Sequence, residues 1–188
     1  MAGKEYLYFA GTAYLGMPTN VEFQSHLIAG FSRYGANYGG SRLSNLTLPI
    51  FDEAENLIAQ WTGAETALIV SSGTLAGQLT TKMLAQQSKL VHSPDAHPAL
   101  FQTQPELSNL SYEAWVERIL ERAYTSEYPL VFCCNAIDPL WLKSYDFSWL
   151  QELPKHKSFT LLLDDSHGIG VTGKQVVAFL LRLMPLHR

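Results

Sequence analysis

The run Leu161-Leu162-Leu163-Asp164-Asp165-Ser166-His167-Gly168-Ile169-Gly170 passes from apolar residues to a carboxylate, with an imidazole three positions later and glycines behind it. Thr160 to Leu163 show no polar alternation, as in a central parallel strand covered on both faces, and the polarity at Asp164 marks its C-terminal end. Open α/β sheets bind their ligands at that edge. An ionised carboxylate held there needs a cation or several donors, and a protonated heterocyclic nitrogen would supply one. His167 could reach back over the same position as a donor, while Gly168 and Gly170 leave room for close backbone approach.

Two other groups could share that edge. Ser71-Ser72-Gly73-Thr74 falls between an expected strand and an expected helix, where backbone N–H groups and the positive end of the helix dipole can cradle a phosphate. Small polar residues there also serve as plain helix caps. His97, in Asp95-Ala96-His97-Pro98-Ala99, follows the next strand and would bring an imidazole face to the same side. A phosphate at the first group, a ring nitrogen at Asp164 and a stacked His97 describe a ligand resembling pyridoxal phosphate. A divalent metal on Asp164, Asp165, His167 and His97 is the competing chemistry, because carboxylate and imidazole suit such ions. Against it, adjacent Asp164 and Asp165 should diverge at a strand end.

These groups need a scaffold, and the chain reads as alternating strands and helices. Tyr6 to Ala10 predicts a short strand, Gly11 to Pro18 a turn-rich segment, and Asn20 caps a helix to about Arg33; Tyr34 to Leu48 has no period and predicts a long irregular loop. Pro49 opens a helix closed by Gly63, with Ile50, Phe51, Ala54, Leu57, Ile58 and Trp61 on one stripe expected to face a core. Then come strand Thr66 to Val70, a helix to about Gln87, strand Leu90 to His92, a helix around Tyr112 to Tyr124 capped by Ser111, strand Leu130 to Cys134, a short helix after Asp146, and the strand ending at Asp164. Repeated βα units imply an α/β fold with a mostly parallel sheet and helices on both faces. The run from Gln175 to Met184 looks like an element whose partner is missing.

Composition narrows the function classes. The 188 residues are 47% hydrophobic and 16% charged, enough for one substantial core. A net charge of −4 and a pI near 5.8 give no electrostatic case for nucleic acid or an anionic membrane. The N-terminus lacks the apolar core of a signal peptide and no segment is long enough to span a bilayer, so a cytoplasmic location is expected. Cys133 and Cys134 are adjacent in an expected strand, where their side chains point to opposite faces and form neither a disulfide nor a CxxC metal site. Asn45-Leu46-Thr47 matches a glycosylation acceptor without an export signal to make it meaningful.

Tyr14-Leu15-Gly16, Gly39-Gly40-Ser41-Arg42, Ser71-Ser72-Gly73, Asp95-Ala96-His97 and Asp164-Asp165-Ser166-His167-Gly168-Ile169-Gly170 occur in the order seen in one family. The chain from about Tyr6 to Gly173 resembles the α-oxoamine synthases, fold-type I pyridoxal-phosphate enzymes that include 8-amino-7-oxononanoate synthase, glycine C-acetyltransferase and serine palmitoyltransferase. The Asp-x-x-His form of the strand-end motif is the more specific part of the likeness. The resemblance implies an N-terminal segment and glycine loop over 1–48, an incomplete major cofactor domain over 49–173 and an atypical tail over 174–188. It also implies that Asp164 pairs with the pyridinium nitrogen, His167 hydrogen-bonds the phenolic oxygen, His97 stacks on the ring, and Ser72, Gly73 and Thr74 lie by the phosphate. His167 and Asp164 would be catalytic in the condensation of an amino acid with an acyl-CoA, and the expected assembly is a homodimer.

The departures from that pattern matter as much. The family carries its cofactor-linked lysine on a later segment in a Ser/Thr-x-x-Lys setting, expected beyond the end of this chain together with the small second domain. Lys174 sits beside Gly173 in no such context. Thr12-Ala13 replaces an Asn-rich pair, Phe51 stands where histidine is common, and Cys133-Cys134-Asn135 replaces a Ser-Met-Asp type of sequence. A non-catalytic chain that keeps the cofactor site as a binding or regulatory partner is therefore the alternative to an acyltransferase.

Overall fold

The computed structural model describes residues 3, 5, 7, 11–37, 39–103, 109–172 and 184–185, in two compact units, Met1–Pro49 and Ile50–Arg188. In the first unit a 3₁₀ segment over Tyr14–Thr19 leads into helix α1, Val21–Tyr34. Asn20 caps it as expected, its Oδ1 accepting from the Phe23 N–H at 2.8 Å. Gly35 closes it with φ +77 and an N–H bond to the Phe31 carbonyl at 2.9 Å. The described residues of 35–48 form turns and bends without helix or strand, as their lack of period predicts. The expected strand at Tyr6–Ala10 lies almost wholly outside the described residues.

The second unit is built on a sheet of β1 (Lys89–His92), β2 (Leu130–Asn135), β3 (Phe159–Asp164) and β4 (Met184–Pro185), in that order. The first three run parallel, with Lys89 opposite Leu130 at one end of the first pairing and Asn135 opposite Asp164 at the end of the second. β4 pairs antiparallel with β3, at Thr160–Pro185 and Leu161–Met184, and was not expected. Every residue of β2 is buried, as continuous apolar character requires of a strand covered on both faces.

Pleating sorts β2 into two cores. Leu130, Phe132 and Cys134 join Trp115, Ile119 and Ala123 of helix α4 (Tyr112–Thr125), with Phe159, Leu161, Leu163 and Trp149. Val131 and Cys133 join Ala96, Leu100 and Leu162 on the opposite side. Trp149 stands edge-on to Phe132 at 5.2 Å and to Trp115 at 5.9 Å, an aromatic geometry that complements ring quadrupoles. The two thiols thus face opposite layers as expected, and burial pushes the Cys133 pKa up to about 12.

Helix α2 (Pro49–Thr62) and helix α3 (Gly73–Leu84) take their expected places, α3 capped by the Ser72 hydroxyl accepting from the Leu75 N–H at 3.1 Å. Two expectations fail here. Of α2 only Ala59 is buried, and Leu57 and Trp61 of its apolar stripe are 66% and 45% exposed. Thr66–Val70 forms no strand: it has no neighbouring strand among the described residues, and the Ile69 N–H turns instead to Glu55 Oε1 at 2.7 Å. Isolated apolar residues with β propensity do not make a strand until another strand satisfies their backbone.

Ser111 caps α4 through the Ala114 N–H at 3.2 Å. At the other end Lys157 Nζ donates to the carbonyls of Ala123, Tyr124 and Ser126 at 3.0, 2.6 and 2.9 Å. A cation on the last-turn carbonyls satisfies orphan acceptors and complements the helix dipole. It also ties the approach to β3 to the helix covering the sheet. Replacing Lys157 with Met should therefore lower unfolding free energy by about 1–3 kcal/mol, read from urea denaturation followed by far-UV dichroism; an unchanged midpoint would show that the lysine is solvated.

Candidate functional site

The parallel register brings the ends of β2 and β3 out together, with Asn135 beside Asp164. Asp164 is half-buried, and its Oδ1 accepts from both the N–H (3.0 Å) and the hydroxyl of Ser166. That Asx-type turn locks the carboxylate while Oδ2 takes no hydrogen bond among the described residues. Asp165 turns the other way. It is 4% exposed, and neither carboxylate oxygen has a partner among the described residues. Burial, followed by the neighbouring Asp164 charge, raises its pKa to about 7. The divergence of the two carboxylates is the one expected at a strand end.

His167 is half-buried in the turn that follows, where the N–H groups of Gly168 and Ile169 both bond to the Asp165 carbonyl at 3.0 Å. Gly168 is required by contact rather than by φ. A Cβ there would collide with Asp165 Oδ1 and approach Ile137 Cδ1 to 2.9 Å.

His97 is exposed at the start of a 3₁₀ turn, Pro98–Leu100, and its Nδ1 accepts from the Ala99 N–H at 3.1 Å. Its own N–H donates to Asn135 Oδ1 at 3.3 Å, so His97 and Asp164 are joined to one edge through Asn135. The same 3₁₀ turn meets α3: a Cβ on Gly77 would lie 3.0 Å from the Ala99 carbonyl oxygen, and Gln102 Nε2 donates to Thr81 Oγ1 at 2.8 Å. Ser72, Gly73 and Thr74 begin that helix about one turn before Gly77. They are exposed, and nothing lies within 4 Å of where a Gly73 Cβ would stand. Asp164, His167 and His97 thus lie at the C-terminal edge of the sheet, and α3 packs through Gly77 on the turn that follows His97.

Sequence reading missed the groups behind His97. Asn135 is 5% exposed and its Nδ2 donates to the Asp95 carbonyl at 2.7 Å and to Asp95 Oδ2 at 3.3 Å; the Tyr145 hydroxyl donates to the same Oδ2. An asparagine ending an otherwise apolar strand was the available signal. Among the described residues no three carboxylate, imidazole or thiol groups gather as a metal would require. A groove of about 530 Å³ between α2 and α3 touches Ser72 and Gly73, but neither His97 nor Asp164 lines it. No helix among the described residues is long and apolar enough to cross a membrane.

Three parallel strands with one short antiparallel neighbour, carrying an Asp–x–x–His turn after β3, match part of the fold of a fold-type I pyridoxal-phosphate enzyme. Serine palmitoyltransferase from S. paucimobilis, solved with a bound PLP–myriocin aldimine, superposes with a TM-score of 0.70 at 19% identity, over 86% of this chain and 42% of that one. Within that class the sequence relatives are α-oxoamine synthases. The chain is 28% identical over 179 residues to 8-amino-7-oxononanoate synthase of Lysinibacillus sphaericus, covering 92% of this chain and 46% of that protein. It is 28% identical over 185 residues to serine palmitoyltransferase of Bacteroides ovatus, covering 93% and 46%. The chain spans less than half the length of these relatives, and no family model matches it.

The raised Asp165 pKa fixes the sign of a pH effect. Its folded value lies above the ordinary 3.8, so its favourable contribution is complete below that pH, falls as pH rises and is lost above about 7. Asp165→Asn should flatten the decline in melting temperature between those limits; parallel pH profiles for the two proteins would contradict the assignment. Gly168→Ala should destabilise by about 1–3 kcal/mol in chemical denaturation, because either Asp165 or the turn must shift.

Proposed function

We propose that this chain binds pyridoxal 5′-phosphate at the C-terminal edge of β2 and β3, as the large-domain part of an acyltransferase that condenses an amino acid with an acyl-CoA. The observation that carries the reading is the meeting of Asp164 and His97 at one edge through Asn135, with Gly77 of α3 packed on Ala99 in the turn after His97. The family likeness supplies the substrate classes. When bound, the cofactor would draw electrons from the α-carbon of an amino acid.

The residues present fit that group. Asp164, tethered through Oδ1, keeps Oδ2 to accept a hydrogen bond from the N–H of a protonated ring nitrogen, and its charge would hold that nitrogen protonated. His97, with Nδ1 occupied by Ala99, carries its remaining proton on Nε2 and offers its ring face for stacking. His167, three residues after Asp164, would by the family likeness donate toward the phenolic oxygen. At α3 the Ser72 hydroxyl already accepts from Leu75, so its proton is left for a phosphate oxygen, beside the first-turn N–H groups of Gly73 and Thr74. We assign the site as Ser72, Gly73, Thr74, His97, Asp164 and His167, with Asp164 and His167 catalytic, in a cytoplasmic homodimer.

A second reading is a non-catalytic cofactor-binding partner: Lys89 opens β1 and Lys157 precedes β3, both at the opposite edge of the sheet, and Lys157 is bound to α4, while Lys143 lies in the loop that follows β2. Lys174 lies outside the described residues.

Titration of the chain with pyridoxal phosphate, followed by absorbance and then by borohydride reduction and peptide mass analysis, tests both. One saturable site per chain is expected, weakened roughly tenfold or more by Asp164→Ala. Reduction onto a single lysine supports the acyltransferase, and saturable binding without an adduct supports the partner. Scattered labelling that Asp164→Ala leaves unchanged would overturn the site.

A further inference from the structure

His97 does not stand alone on its loop. Asn135 is buried at the end of β2 and uses both ends of its amide: Oδ1 accepts from the His97 N–H, and Nδ2 donates to the carbonyl and the carboxylate of Asp95. The two acceptors on one side and the one donor on the other leave a single sensible orientation for the amide. Tyr145 donates its hydroxyl to the same Asp95 oxygen. The Tyr145 ring is stacked on Tyr112 at 4.4 Å, and the Tyr112 oxygen accepts from Trp149 Nε1 at 3.1 Å and donates to the Asp146 carbonyl at 2.9 Å. Trp149 is in turn set among Phe132 and Trp115. An unbroken series of contacts therefore runs from the aromatic core to the backbone of His97.

We propose that Asn135, Asp95 and Tyr145 are positioning residues that hold the His97 imidazole at the angle a stacked aromatic ligand requires. This rests on the cofactor reading of the site. Asn135 fixes the main chain on the N-terminal side of His97. On its C-terminal side Pro98 restricts φ, and the Leu100 N–H bonds to the His97 carbonyl at 2.9 Å. With both sides held and Nδ1 engaged by Ala99, the ring has little rotational freedom left. Tyr145 is the part that tunes the device. Burial and the Asp95 charge raise its pKa, so it stays a hydroxyl donor throughout the neutral range. Losing that donor would leave the Asp95 carboxylate held, among the described residues, by Asn135 alone. A site with a rigid supporting set of hydrogen bonds binds with less ordering cost than one on a mobile loop.

The test uses the 188-residue chain with Tyr145→Phe, Asn135→Asp, and Asn135→Asp combined with Asp95→Asn. Two readouts are needed: the His97 imidazole resonances in the ligand-free protein, and pyridoxal phosphate affinity together with the dichroism induced in its absorption band. Tyr145→Phe should shift or broaden the His97 resonances, reduce the induced dichroism and weaken binding roughly three- to tenfold. Asn135→Asp should do more, since two carboxylates then face each other; adding Asp95→Asn restores a donor–acceptor pair and should recover part of the signal. Variants that melt earlier yet keep native His97 resonances and native dichroism would overturn the proposal, as would a double variant no better than Asn135→Asp. If the unaltered chain binds no pyridoxal phosphate while His97 still responds to Tyr145→Phe, the cofactor reading falls and the anchoring of His97 stands.

Discussion

The six-residue parallel pairing of β2 with β3 is the constraint on which the remaining features depend. Parallel strands deliver their C-terminal ends to one edge, so Asn135 and Asp164 emerge side by side, with the segment after β1 arriving on the same side. Because side chains alternate, a slip of one residue would turn Phe132 and Cys134 out of the α4 layer and send Asn135 to the wrong face. The aromatic cluster of Phe132, Trp149 and Trp115 opposes such a slip, since its edge-on contacts exist in one register only. Core packing and site geometry are in this sense one problem with one solution.

At the sheet edge, polar groups leave water in proportion to how well they are matched. Asn135 is buried and hydrogen-bonded through both ends of its amide, whereas Asp164 is half-buried with one oxygen tied to Ser166. Asp165 is buried and matched by nothing among the described residues, and it answers by holding its proton more tightly. A satisfied amide at the end of β2, a half-satisfied carboxylate at the end of β3 and an unsatisfied acid beside it therefore share one edge. Such unevenness is common where binding has been favoured over stability.

The legible parts of this fold were the local ones. Asn20, Ser72 and Ser111 announce their helices because a cap and its N–H partner lie three residues apart, and the apolar runs of β2 and β3 need no knowledge of their neighbours. Thr66–Val70 was misread because a strand is a pairing, and pairing is decided by segments distant in sequence. The stripe on α2 correctly marked an apolar face, yet amphipathicity does not say what covers it, and Leu57 and Trp61 are open. At the site, Asp164, His167, His97 and the start of α3 could be nominated from residue type and position. The Asn135–Asp95–Tyr145 set could not, since its bonds join residues 40 and 50 positions apart. The isolation of Asp165 was equally hidden, because it depends on how Gly168 and Ile137 close around it.

The two neighbouring thiols of β2 have a use beyond packing. Cys134 belongs to the layer under α4 and Cys133 to the layer under Ala96 and Leu100, and burial leaves both protonated and inert in the closed protein. Each becomes reactive only when its own layer opens. One peptide bond thus separates two internal clocks, and the ratio of their alkylation rates would tell which side of the sheet breathes first, without any probe being introduced.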